Sequence, residues 1–141
     1  TQVSGLMATN KINGIFDKEH IERLEVTWNS DTMDMIRCKY IIEAFKNNNV
    51  LSNVVERSKE IINTLSTTEN IKGLRSQGLI IGFDLKDKNT RDRFMKVLFN
   101  KGMICNSTGI RSIRLRPNLC LSSKDAQLGC QLIKEALEEV G

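Results

Sequence analysis

From residue 71 onward the apolar residues change their spacing, and that change limits the folds open to the chain. Residues 71–76 and 79–85 read as two strands around Gln77-Gly78, a hairpin signal. Residues 90–100 carry Phe94, Val97 and Leu98 at helical spacing and stop at Gly102, which suits a helix C-terminus. Residues 103–106 read as a third strand. Thr108-Gly109 turns the chain into a fourth, residues 112–117. Ser122 and Asp125 have capping-box spacing before a last helix that runs to about Glu139, with Ala126, Cys130, Ile133 and Leu137 on its core face. This order is an α+β layer: a small antiparallel or mixed sheet with helices on one face.

Two helices precede the layer. Asn29, Ser30 and Asp31 suit an N-cap, and residues 32–47 repeat Met35, Cys38, Ile42 and Phe45 at helical spacing. The apolar face is broad enough that this helix is expected to be mostly buried. Asn47, Asn48 and Asn49 end it. Leu51, Val54, Val55, Ile61, Ile62 and Leu65 define a second amphipathic helix, with Arg57, Lys59 and Glu60 expected to face water. Residues 1–8 read as a short strand without strong alternation. Residues 10–26 are charged and weakly patterned, with Asn13-Gly14 as a turn and at most one helical turn at Ile21 and Leu24. This is the region expected to be least ordered.

Composition narrows the function classes. The 141 residues suffice for one domain with a real core. The net charge of +4 is scattered and aromatics are 5%, so a nucleic-acid surface built on stacking platforms is not indicated. Cys38, Cys105, Cys120 and Cys130 form no close pair, and His20 has no cysteine near it in sequence, so zinc-site spacing is absent. Isolated cysteines among apolar residues read as buried reduced thiols and point to a reducing compartment, the cytoplasm or an organelle matrix. No apolar run approaches the ~20 residues that span a bilayer. The chain begins at Thr1, which reads as a processed product or a fragment.

The stretch with the most chemistry is Ser112-Ile113-Arg114-Leu115-Arg116-Pro117, stopped by the only proline. Alternation along a strand puts Ser112, Arg114 and Arg116 on one face and Ile113 and Leu115 on the other. A guanidinium fork matches a carboxylate or phosphate bidentately. From this stretch alone a half-exposed strand with solvated arginines is the reading that comes first. Thr27 precedes a helix, where a hydroxyl and free amides can bind a phosphate, but taken by itself it reads first as a plain helix-entry residue. Trp28 reads as a core or interface anchor, Arg75 as a surface charge, and Asp84 and Asp87 as strand-end and loop acids. Lys11 and Lys101 carry no mark of a nucleophile. No Ser-His-Asp set, Walker loop or dinucleotide fingerprint is present.

In order and spacing, several pieces together resemble the C-terminal part of class-III, fold-type I pyridoxal-phosphate aminotransferases. They are Thr1-Gln2-Val3-Ser4-Gly5, Thr27-Trp28 followed by Asp34-Met35-Ile36-Arg37, Arg75-Ser76-Gln77-Gly78-Leu79, Phe83-Asp84 and the arginine strand. The likeness covers essentially the whole chain. It is strongest to lysine 6-aminotransferases, then to 4-aminobutyrate aminotransferases. Asn29, Ser30 and Asp31 stand where the family often has a glycine pair and an asparagine.

The resemblance implies an enzyme that moves an amino group from L-lysine or a related ω-amine to 2-oxoglutarate. It implies a homodimer in which Thr27 binds the cofactor phosphate of the other subunit and Arg114 takes the substrate α-carboxylate. The Schiff-base lysine would lie just before Thr1, so this chain alone is expected to be inactive and not to bind pyridoxal phosphate; no catalytic residue and no metal ligand is assigned within it. Residues 1–30 would be a remnant of the large cofactor-binding domain, 31–70 linking helices and 71–141 the C-terminal small domain. The competing reading is a non-enzymatic α+β ligand-binding or interaction module that uses the same arginine face.

Overall fold

The computed structural model describes residues 7–19 and 31–141, with side chains omitted for 16–19. The strand expected over residues 1–8 falls almost wholly outside these, as do Ile21, Leu24, Thr27 and Trp28. The chain divides into two compact units, Thr1–Asn48 and Asn49–Gly141.

The first unit holds α1 (Asn10–Glu19) and α2 (Thr32–Asn47). α1 corrects the expectation of a weakly ordered stretch. Its first turn closes when the Ile12 and Asn13 amides donate to Thr9 O at 2.9 and 3.0 Å, and the helix runs through Asn13-Gly14. A turn-forming dipeptide costs a helix only about 1 kcal/mol, which the flanking residues can offset. α2 has the expected bounds, and Asp31 caps it by accepting from the Asp34 amide at 3.0 Å. Its burial is not as expected: none of its residues is buried, and Met35, Tyr40 and Ile42 are all more than half exposed. Apolar spacing reveals which face seeks cover. It does not supply the covering surface.

The second unit runs α3 (Val50–Ser66), β1 (Lys72–Gln77), β2 (Ile80–Asp84), α4 (Lys88–Asn100), β3 (Asn106–Thr108), β4 (Ser112–Leu115) and α5 (Ser123–Val140). The four strands lie in the order β1-β2-β4-β3, every neighbouring pair antiparallel. Gln77 pairs with Ile80, leaving the two-residue loop Gly78-Leu79. Gly78 has φ +55°, as the first central position of a type II′ turn demands. Its carbonyl accepts from Ser58 Oγ at 2.7 Å, which anchors the turn to α3.

β3 begins at Asn106, three residues later than the sequence indicates. The cause is the end of α4. Gly102, at φ +84°, donates to Phe99 O, and Met103 donates to Leu98 O, a Schellman motif. That motif takes the Met103 amide away from any ladder. α4 itself starts earlier than expected because Asp87 caps it, accepting from the Thr90 amide at 2.8 Å. Asp87 is therefore a cap and not merely a loop acid.

One face of the sheet closes a single core. Ile81 and Phe83 of β2 and Ile113 and Leu115 of β4 meet Ile61 and Leu65 of α3, Phe94 and Leu98 of α4, and Cys130, Ile133 and Leu137 of α5. Phe83 and Phe94 meet edge to face, centroids 6.1 Å apart at 82°. Two residues read as water-facing are half-buried instead. Glu60 accepts from Ser123 Oγ and Gln127 Nε2, and Arg57 stands beside it. Among the cysteines Cys130 is buried as expected, whereas Cys120 is exposed; all four are free thiols. No described helix is long and apolar enough to cross a membrane.

Candidate carboxylate-binding face

The other face of the sheet carries the polar chemistry. Ile113 and Leu115 are buried, so Ser112 and Arg114 point the opposite way, as alternation requires. Directly opposed residues in an antiparallel pair share a face, so the register Arg75–Gly82–Arg114–Asn106 is one row across all four strands. Asp84, Ser112 and Thr108 form the next row. Among the described residues Arg75, Arg111, Arg114 and Lys72, the register partner of Asp84, stand on or beside this surface with the carboxylate of Asp84.

Asp84 is hydrogen-bonded through one of its two oxygens. Ser112 Oγ donates to its Oδ1 at 2.6 Å and Arg75 Nη1 to the same oxygen at 3.2 Å, while Arg111 Nε stands 3.8 Å from Oδ2. The Ser112 bond, followed by Arg75 and Arg111, holds the Asp84 carboxyl below the usual carboxylate range, against the opposing effect of desolvation. Arg75 reaches Asp84 by lying over Gly82, where a Cβ would come within 3.5 Å of its guanidinium carbon. It also donates to Gly73 O at 2.7 Å.

Among the described residues Arg114 makes no ion pair and no side-chain hydrogen bond, and it is exposed. Arg116 is exposed too, but lies past the last ladder residue, Leu115. Both arginines border a cavity of about 180 Å³ between β4 and α5 whose lining includes Met103, Cys105, Leu115, Cys130 and Ile133. Burial pushes the Cys105 and Cys130 thiols up, away from the reactive thiolate form.

The arginine face thus lies where alternation puts it. The Asp84 network was not legible, because its members come from three separate strands and only the register joins them. Thr27 lies outside the described residues. No group of three His, Cys, Asp or Glu side chains among the described residues could hold a metal ion. Lys101 does not suit a cofactor Schiff base. Lys101 lies on the helix side, held by Glu139 and Glu135 at 2.7 and 3.2 Å, and those partners raise its pKa, opposite to what a Schiff-base amine needs.

The sequence pattern of "Aminotransferase class-III" matches residues 2–137. The chain belongs to the class-III aminotransferases. It is 25% identical over 149 residues to an L-lysine-epsilon aminotransferase of Amycolatopsis lactamdurans, covering 100% of this chain and 33% of that protein. It is 26% identical over 136 residues to the mitochondrial 4-aminobutyrate aminotransferase of Sus scrofa, covering 89% of this chain and 27% of that one. The fold is shared with lysine aminotransferase from M. tuberculosis in the internal aldimine form, at TM-score 0.82 and 23% identity over 96% of this chain and 33% of that structure. This class-III aminotransferase chain spans about a third of the length of the curated relatives it matches.

Proposed function

We propose that this chain provides the carboxylate-binding face of an aminotransferase that moves an amino group from L-lysine, or a related ω-amine, to 2-oxoglutarate with pyridoxal phosphate. The observation that carries the reading is the fork of Arg114, unpaired among the described residues, on a face where Asp84 is already engaged by Ser112 and Arg75. Family membership supports the reaction class, and the lysine-epsilon aminotransferases among its relatives support the donor. Arg114 takes the α-carboxylate, which donor and acceptor share. Thr27 contributes to the cofactor phosphate across a homodimer. The electron sink is the cofactor's, and the role of these residues is to bind and orient.

The test is a titration of the 15N-labelled chain followed at the arginine Nε–H resonances. 2-Oxoglutarate and L-lysine should each shift Arg114. Cadaverine, which has the amines of lysine but no carboxylate, should not. Equal shifts at all exposed arginines would reduce the face to a solvated strand.

A further inference from the structure

Asp84 sits diagonally across from Arg114. The register pairs Gly82 with Arg114 and Asp84 with Ser112, and both side chains lie on the open face. Diagonal neighbours of this kind are roughly 7–8 Å apart, within reach of an arginine. A carboxylate in that position is an internal competitor for the fork that the proposed function reserves for substrate. It does not pair with Arg114. Its Oδ1 is taken by Ser112 at 2.6 Å and Arg75 at 3.2 Å, and Oδ2 faces Arg111 at 3.8 Å.

We propose that Ser112, together with Arg75, is a positioning residue that keeps Asp84 off Arg114 and so leaves the fork open to a substrate carboxylate. The inference rests on the carboxylate role of Arg114. Ser112 is fixed opposite Asp84 by the ladder itself, so the hydroxyl meets the acid without any loop having to order. Arg75 lies over Gly82 and is held to its path by the Gly73 carbonyl. Freed of these donors, the carboxylate can turn along the face toward Arg114, its diagonal neighbour on β4, in competition with Lys72, its register partner on β1.

Ser112 is the useful probe, because Ser112→Ala changes no charge. Simple attraction between a basic face and an anion therefore predicts no effect from it. The experiment is a double-mutant cycle on the 141-residue chain, with 2-oxoglutarate as the probe and the ligand-induced shifts of the backbone amides of residues 112–116 as the readout. The four proteins are wild type, Ser112→Ala, Asp84→Asn and the double variant, with Arg114→Ala alongside; unchanged amide spectra certify folding. An exposed ion pair is worth up to about 1 kcal/mol, so Ser112→Ala should weaken binding by about twofold to fivefold. In the Asp84→Asn background the same change should have no effect, because no competing carboxylate remains.

A loss of equal size in both backgrounds would make Ser112 merely structural and overturn the proposal. So would no loss in either, provided that Arg114→Ala still abolishes the shifts. If Arg114→Ala leaves binding unchanged, the carboxylate role of Arg114 falls, and the inference with it.

Discussion

Ser123 Oγ donates to Glu60 Oε1 at 2.8 Å, joining the first turn of α5 to the middle of α3. Gln127 Nε2 reaches the same oxygen at 2.9 Å from the next turn. Glu60 is half-buried, so a partner removed here leaves polar groups with little water to replace it. Glu60→Ala is expected to destabilise the chain by about 1–3 kcal/mol. Urea unfolding of the variant checks it, and an unchanged midpoint would mean that packing alone holds the two helices.

The pH response follows from the same carboxylates. Gln127 and Ser123, then Arg57, lower the pKa of Glu60; Ser112, then Arg75 and Arg111, lower that of Asp84. A carboxylate with a depressed folded pKa gives stability that is present above its unfolded pKa, about 4. That stability is lost as pH falls through the folded value. Melting temperature should therefore hold from pH 7 to about 5 and fall below about 4. Asp84→Asn should flatten part of that fall; an identical acid profile would show that the network contributes nothing to folding.

Gly78 is the turn residue with least tolerance. A Cβ there would lie 3.0 Å from Val54 Cγ1, and φ is +55°. Both conditions oppose a side chain, so Gly78→Ala should cost about 1–2 kcal/mol. Gly102 makes a useful contrast. It also has positive φ, but nothing lies within 4 Å of its Cβ position, so Gly102→Ala meets only the backbone penalty and should cost less. Thermal melts of the two variants rank them.

Arg91 ties the β3–β4 turn to α4. It is 8% exposed and donates from Nη1 to Gly109 O at 3.1 Å and from Nε to Asp92 at 2.8 Å. Arg91→Met keeps the aliphatic stem and removes the donors. Amide exchange should then rise at residues 109–111 while the Phe83–Phe94 core stays protected. Uniform loss of protection would instead make Arg91 part of the core's stability.

Local patterns were legible in the sequence where one element's own residues decide the outcome. The caps at Asp31 and Ser122, the Gly78 turn, the face of α5 and the alternation around Arg114 are of that kind. What depends on another element was not. α2 shows an apolar face without showing what covers it. Glu60 looks like a solvent-facing acid until α5 lies beside it. Arg75 and Asp84 look like separate surface charges until the register places them together. The start of β3 was misplaced because a helix cap claimed the Met103 amide.

The most direct measurement is the 2-oxoglutarate affinity of the chain carrying Arg114→Lys or Arg116→Lys. Each keeps the charge and loses the fork. Arg114 stands in the ladder row with Gly82, and Arg116 lies beyond it, so the carboxylate assignment predicts a loss of about tenfold for Arg114→Lys and little change for Arg116→Lys. Equal affinity in both variants and wild type, or the larger loss at Arg116, would contradict it.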